Sequence, residues 1–182
     1  EPVKIGPVTA KNRFYQVPHC TGLGRLRPRM LAALRGMKAE GGWGVVCTEY
    51  CSIHPASDDL PHPHASLWND DDIKDHALMT EAVHRHGALA GAELWVGGAR
   101  TANLYTRETA IDVTSMPNLA GHPYQSQAMD KSDIRELRRW HRNAALRAKE
   151  AGFDIVYVYA THGYLLSHFL SAHSNTRSDE YG

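Results

Sequence analysis

Three times in this chain a β-branched or aromatic run is followed by a segment of helical periodicity that closes on glycine. A fourth such run follows the third helix. The strands are predicted at 13–18, 44–50, 88–95 and 155–158, the helices at 30–40, 70–86 and 130–150. Met30, Leu31, Leu34 and Met37 recur on one face of the first helix, and Gly41 and Gly42 end it. Asp70 or Asp71 caps the second, which Gly87 closes. Asp130-Lys131-Ser132-Asp133 gives the third an N-cap and an acidic first turn, with Gly152 beyond its end. A hairpin turning at Gly6-Pro7 precedes the series. Strands alternating with helices commit the chain to a parallel α/β sheet with right-handed crossovers.

Two architectures satisfy that rule, a doubly wound sheet and a (β/α)8 TIM barrel. Gly22-Leu23-Gly24 is only a fragment of the phosphate-binding glycine pattern expected of the former. His19 and Cys20, Glu49 and Tyr50, Glu93 and Trp95, and the polar residues 159–164 each end or follow a different strand. Chemistry delivered by several strand ends to one rim favours the barrel. A barrel needs ~250 residues, so 182 residues with about four strands read as one N-terminal half-barrel unit spanning 1–182. Alone, such a piece is expected to be poorly stable or to associate through its open sheet edges.

Composition removes several classes. Twenty basic against twenty acidic residues give no electrostatic case for nucleic acid or an anionic membrane. No apolar run is long enough to span a bilayer. Three cysteines without a secreted-type framework fit a reducing, cytoplasmic compartment. Cys47 and Cys51 lack a second ligand pair, and His54, His62 and His64 lack regular ligand spacing, so no metal site is expected. Those three histidines read as solvated loop residues, and His84 and His86 as favourable cations at a helix end. Arg138, Arg139, Arg142 and Arg147 read as the exposed face of the third helix, with Trp140 as its buried contact.

The fourth strand, Ile155-Val156-Tyr157-Val158, is unbroken and apolar, as in a strand covered on both faces. Tyr159, His162 and Tyr164 follow it within six residues, at the end where parallel α/β folds bind ligands. A histidine between two tyrosines can hold and move protons near neutrality.

Particular motifs extend this reading. Lys11-Asn12-Arg13-Phe14, Glu40-Gly41-Gly42-Trp43 and 175–182 resemble the Old Yellow Enzyme family of FMN barrels. Residues 14–20 and 153–159 resemble its trimethylamine, dimethylamine and histamine dehydrogenase branch, and the likeness runs along the whole chain. The resemblance implies FMN covalently attached at Cys20, with Val17, Pro18, His19, Tyr50 and Glu93 around the cofactor. A thiolate beside His19 would be the attacking group, and Glu93 would meet the flavin's pyrimidine edge. Tyr50 would form one wall of an amine-binding aromatic bowl, and it matches the trimethylamine side of the branch. Tyr159 and His162 would set the protonation of the amine, completed by an aspartate outside this chain, while Tyr164 would line the site.

The implied activity is oxidative N-demethylation of a small tertiary amine to a secondary amine and formaldehyde. Electrons would pass through a 4Fe-4S cluster outside this chain to an acceptor like electron-transfer flavoprotein. A homodimer is implied for the full-length enzyme, and the 182-residue piece alone is expected to be inactive. The alternatives are an ene-reductase-like flavoenzyme using NAD(P)H and a truncated chain without turnover.

Overall fold

The computed structural model describes residues 1–59, 64–101 and 103–182, so His62 lies outside the described residues. The hairpin β1 (Val3–Ile5) and β2 (Val8–Ala10) turns at Gly6, whose φ of +56° suits glycine. There follow β3 (Tyr15–Gln16), α1 (Pro28–Glu40), β4 (Val45–Ser52), β5 (Ala65–Ser66), α2 (Asp71–His84) and β6 (Leu89–Trp95). The chain continues through β7 (Ile111–Asp112), β8 (Gln127–Ala128), α3 (Lys131–Glu150), β9 (Ile155–Val158) and α4 (Leu165–Phe169).

The main sheet runs β3-β4-β6-β9, every pair parallel, with β5 added beside the far end of β4. Each principal strand lies next to its predecessor, with no switch in strand order. That is barrel topology; a doubly wound sheet reverses direction at a switch point.

One face of the sheet meets the helices. Val46, Ala90, Ala92 and Leu94 pack there with Ala39, Met79, Val83, Ile134, Leu137 and Ala144. The other face carries Val45 and Cys47, with Tyr15, Leu89, Ile155 and Tyr157 beside them, and Ala10 of the hairpin closes that layer from below. Gly91 is required in it, because a Cβ there would stand 2.7 Å from the Cys47 sulfur. Cys47 and Cys51 are both buried, and no group of metal-ligating side chains occurs among the described residues. Nor is any helix among them long and apolar enough to cross a membrane.

Several local expectations need correction. The strand at 155–158 is not covered on both faces: Ile155 and Tyr157 pack beside Val45 and Cys47, whereas Val156 is 38% and Val158 61% exposed on the opposite face. Segments 51–69 and 97–128, which lie between the predicted strands and helices, contain β5, β7 and β8. The first also holds a 3-10 turn, Pro55–Ser57, and α4 was not foreseen. Asp70 makes no side-chain cap on α2; Asn69 Oδ1 accepts from the Asp71 N–H at 2.9 Å instead. His54 is not solvated. Its ring stacks on Trp140 of α3 with centroids 3.7 Å apart, and its Nδ1 accepts from Ala56 N–H. Arg147 leaves the exposed arginine face to bond Asp70 at 2.9 Å and the Leu67 carbonyl. His84 meets the Asp154 carboxylate at 2.8 Å rather than merely facing a helix end. The predicted N-cap of α3 forms, and as a capping box: Asp130 accepts from Ser132 and Asp133 N–H, and Asp133 accepts from Asp130 N–H.

Candidate active site

Regular pairing of β4 with β6 holds from Val45↔Leu89 to Cys47↔Gly91 and resumes at Tyr50↔Glu93. Two residues of β4, Thr48 and Glu49, therefore oppose one of β6. This β-bulge breaks the alternation of faces. It turns Tyr50 to the same face as Glu93, which is itself in register with Tyr157 of β9. Side chains of three strands thus converge at their C-terminal ends.

Around them runs an arc of aromatic rings. Tyr50 lies 4.6 Å from Trp95, Trp95 5.3 Å from Tyr164, and Tyr164 5.3 Å from Tyr159, centroid to centroid. The His64 ring packs at a tilt on Tyr50, centroids 4.4 Å apart, so it belongs to the rim and not to a solvated loop. The Tyr50 hydroxyl donates to Asp59. Trp95 is 1% exposed, yet its indole N–H has no partner among the described residues. A buried donor left unpaired in a wall of rings is a place for a ligand acceptor.

Cys20 is exposed at the mouth of this arc, on a loop fixed from beneath. The Glu49 carboxylate is fully buried and accepts from Thr21 N–H (2.8 Å), Thr21 hydroxyl (2.9 Å), Gly22 N–H (3.0 Å), Gly24 N–H (2.8 Å) and Ala65 N–H (3.0 Å). Burial opposes its ionisation. The donors outweigh that: His64, whose Nδ1 stands 3.7 Å away, and the Thr21 and Gly24 groups hold the carboxyl down at about 2. From the other side the buried Arg35 of α1 donates to the His19 carbonyl and to Gln16. Val17, 63% exposed, and Pro18 line the approach from β3.

The thiolate expected at Cys20 is not preformed. Partial burial pushes the thiol up to about 11, with Glu49, Glu93 and Asp59 adding to the shift and the Tyr50 backbone N–H opposing it. His19, its neighbour in sequence, is exposed.

Glu93 is half-buried and makes no side-chain hydrogen bond among the described residues. Burial alone raises its carboxyl to about 7. With the folded value above the ordinary 4.5, the folded chain holds an extra proton between them, so Glu93 removes stability as pH climbs through that window. In the flavin-free parent protein, E93Q is expected to gain stability over wild type between about pH 5 and pH 8. Urea unfolding at the two values checks this; a constant difference would contradict it.

At the other end of the arc, the Tyr159 hydroxyl meets His162 Nδ1 at 2.5 Å. His162 has φ +56° and Gly163 φ +71°. Two successive left-handed residues fold the turn back so that the exposed imidazole reaches Tyr159. Burial, then the nearby Glu93, Tyr164 and Cys20, push the Tyr159 hydroxyl up to about 12.

Cys20, Tyr50, Glu93, Tyr159, His162 and Tyr164, predicted from sequence, therefore share one rim. Sequence reasoning gave no role to Arg35 or Asp59, read His64 as a solvated loop residue, and named Glu49 and Trp95 only as strand ends. Glu49 and Arg35 carried a signal, a charge inside otherwise apolar periodic segments. Asp59 and His64 did not stand out from a polar loop.

A parallel barrel-type sheet with aromatic side chains and an exposed thiol at its strand C-termini defines a (β/α)8-class fragment shaped for a flat, polar-edged ring. Comparison with known proteins makes the class definite: residues 1–182 match the NADH:flavin oxidoreductase / NADH oxidase family, and the chain belongs to it. It is 42% identical to dimethylamine dehydrogenase of Hyphomicrobium sp. (strain x), covering all of this chain and 25% of that enzyme. It is 32% identical to NADPH dehydrogenase of Bacillus subtilis (strain 168), covering all of this chain and 53% of that enzyme. Histamine dehydrogenase from Rhizobium sp. 4-9 superposes with TM-score 0.97 at 48% identity, over all of this chain and 28% of that one. The chain thus spans a quarter to a half of the length of these relatives.

Proposed function

We propose that this chain supplies the first part of an FMN-dependent amine dehydrogenase acting on a small methylated amine, trimethylamine or a close tertiary amine. The carrying observation is that the Tyr50–Trp95–Tyr164–Tyr159 arc and Cys20 occupy one strand-end rim. Rings around a cavity attract an alkylammonium by ~0.5–2 kcal/mol each, and a methylated ammonium offers few donors for any other recognition. The amine dehydrogenases among the relatives support the same reading.

The residues present fit FMN. Among the described residues Glu93 is a half-buried carboxyl without a side-chain hydrogen bond and the Trp95 N–H has no partner, and Val17 and Pro18 give an apolar approach. Cys20 would anchor the cofactor covalently, with His19 beside it. When bound, FMN supplies the two-electron acceptor for oxidation of the carbon next to nitrogen. Tyr50 and Trp95 hold the amine, His162 and Tyr159 manage its proton, and Tyr164 closes the wall. An iron–sulfur cluster outside this chain, a carrier protein as acceptor and a homodimeric enzyme complete the proposal.

The test uses the full-length parent: acid precipitation, digestion and mass spectrometry of the Cys20 peptide, followed by turnover with trimethylamine and dimethylamine. Flavin on Cys20 with amine turnover is the expected result. Free flavin with an unmodified thiol would favour a second reading, an NAD(P)H-dependent reductase. Tyr164 at the rim and the NADPH dehydrogenase relatives are the observations on that side.

A further inference from the structure

The rim has two parts that the sheet alone does not align. Trp95 ends β6, whereas His162 and Tyr164 stand on the turn after β9, beyond the registered pair Leu94↔Val158. Yet the Trp95 and Tyr164 rings meet edge to face at 5.3 Å. We propose that the buried Asp112–His168 pair sets that alignment and is the positioning element of the His162–Tyr164 turn; this rests on the amine-oxidising reading above.

Asp112 lies on β7, fully buried, and its carboxylate grips both parts at once. Oδ2 accepts from the Ala99 N–H at 2.6 Å, in the turn that follows Trp95. Both oxygens stand 2.9 Å from Nδ1 of His168, on α4, which begins directly after Tyr164. A carboxylate only accepts, so Nδ1 is the donor. The Val113 N–H, 2.7 Å from Oδ1, fixes the direction of the carboxylate itself. The approach is close: a Cβ on Gly98 would collide with Asp112 Oδ2 and stand 3.0 Å from Leu165 Cβ. The two turns also touch, since a Cβ on Gly163 would lie 3.2 Å from Arg100 Nε. One backbone bond, from Leu165 N–H to the Val96 carbonyl at 3.3 Å, joins the same parts, so the pair refines their alignment and is not its sole tie. Apolar side chains would dock α4 too, but a core filled only by volume loses uniqueness before it loses stability. A buried carboxylate that must be satisfied admits one arrangement.

The test uses the full-length flavin-loaded parent. H168L removes the donor, and H168Q keeps an N–H for the carboxylate. In stopped flow, H168L is expected to slow flavin reduction by trimethylamine about tenfold per bound flavin, with H168Q within about twofold of wild type. Because the effect runs through His162, H162Q combined with H168L should be no slower than H162Q alone. Hydrogen exchange reads the turn without substrate. The amides of Tyr164 and Leu165, bonded to the Thr161 and Val96 carbonyls, should exchange about tenfold faster in H168L and at the wild-type rate in H168Q. Wild-type reduction by H168L, unchanged exchange, equal losses in H168Q and H168L, or multiplied losses in the double variant would each overturn the proposal. Should H168L not accumulate, D112N takes its place under the same criteria: it has the same shape but turns an amide N–H toward one of the donors. A wild type that oxidises no amine would sink the amine reading, and the exchange rates would then decide the positioning by themselves.

Discussion

E49A is expected to lower the stability of the parent protein by about 3 kcal/mol and to reduce covalently attached flavin several-fold. Glu49 ties together the loop carrying Cys20 and the start of β5. Removing its carboxylate strands the N–H groups of Thr21, Gly22, Gly24 and Ala65. A dry unsatisfied donor costs ~1–3 kcal/mol, and water entering from the rim recovers part of that. Glu49 also explains Gly24: a Cβ there would stand 2.4 Å from Glu49 Oε1 and 2.7 Å from the Ala65 backbone nitrogen. Its folded carboxyl lies at about 2, below the ordinary 4.5, so its stabilisation is complete above 4.5 and lost as pH falls through about 2. Wild type should therefore lose stability faster than E49A over that acid range. Urea unfolding at several pH values and acid-precipitable flavin measure the two effects. A variant within about 0.5 kcal/mol of wild type and fully flavinylated would show that the loop holds itself.

What the sequence displayed and what it concealed divide along one line. α3 was legible because Asp130 and Asp133 form its capping box locally and Gly152, at φ +93°, ends it locally. The barrel order was legible because strand and helix periods alternate. Glu93 was legible as a buried carboxyl because its neighbours in the run are apolar. The β4 bulge was not: no glycine marks Thr48-Glu49, and the extra residue exists only relative to β6. The His54–Trp140 stack and the dock of α4, where buried His168 meets Asp112 at 2.9 Å, likewise join distant segments. The state of Cys20 failed for the same reason. Its sequence neighbour His19 pointed to a thiolate, whereas burial, and after it Glu49, Glu93 and Asp59, remote in sequence, oppose one.

Replacing His162 with Gln is expected to cut amine turnover by roughly 10²-fold, at the lower end of what a positioned proton-transfer group contributes. The backbone supplies the first part of the case. A non-glycine residue at φ +56° costs ~1–3 kcal/mol and persists only where the surroundings demand it. Here the strained turn sets the imidazole against Tyr159 at 2.5 Å. Gly163, at φ +71°, takes the second left-handed position without strain, and a side chain there would meet both that backbone conformation and Arg100 Nε, 3.2 Å from its Cβ. The second part is Tyr159. With its hydroxyl at about 12, it keeps its proton through the neutral range, so under the proposed function its part is to orient the imidazole and not to act as the base. Y159F should therefore cost less than H162Q, about tenfold, and chiefly in kcat. H162N separates chemistry from conformation, because Asn tolerates a left-handed backbone. If H162N folds like wild type and loses turnover as H162Q does, the imidazole itself is required. Stopped-flow measurement of flavin reduction by trimethylamine reads the step directly; both variants within about threefold of wild type would remove His162 from the chemistry and leave its strained turn as a purely architectural feature.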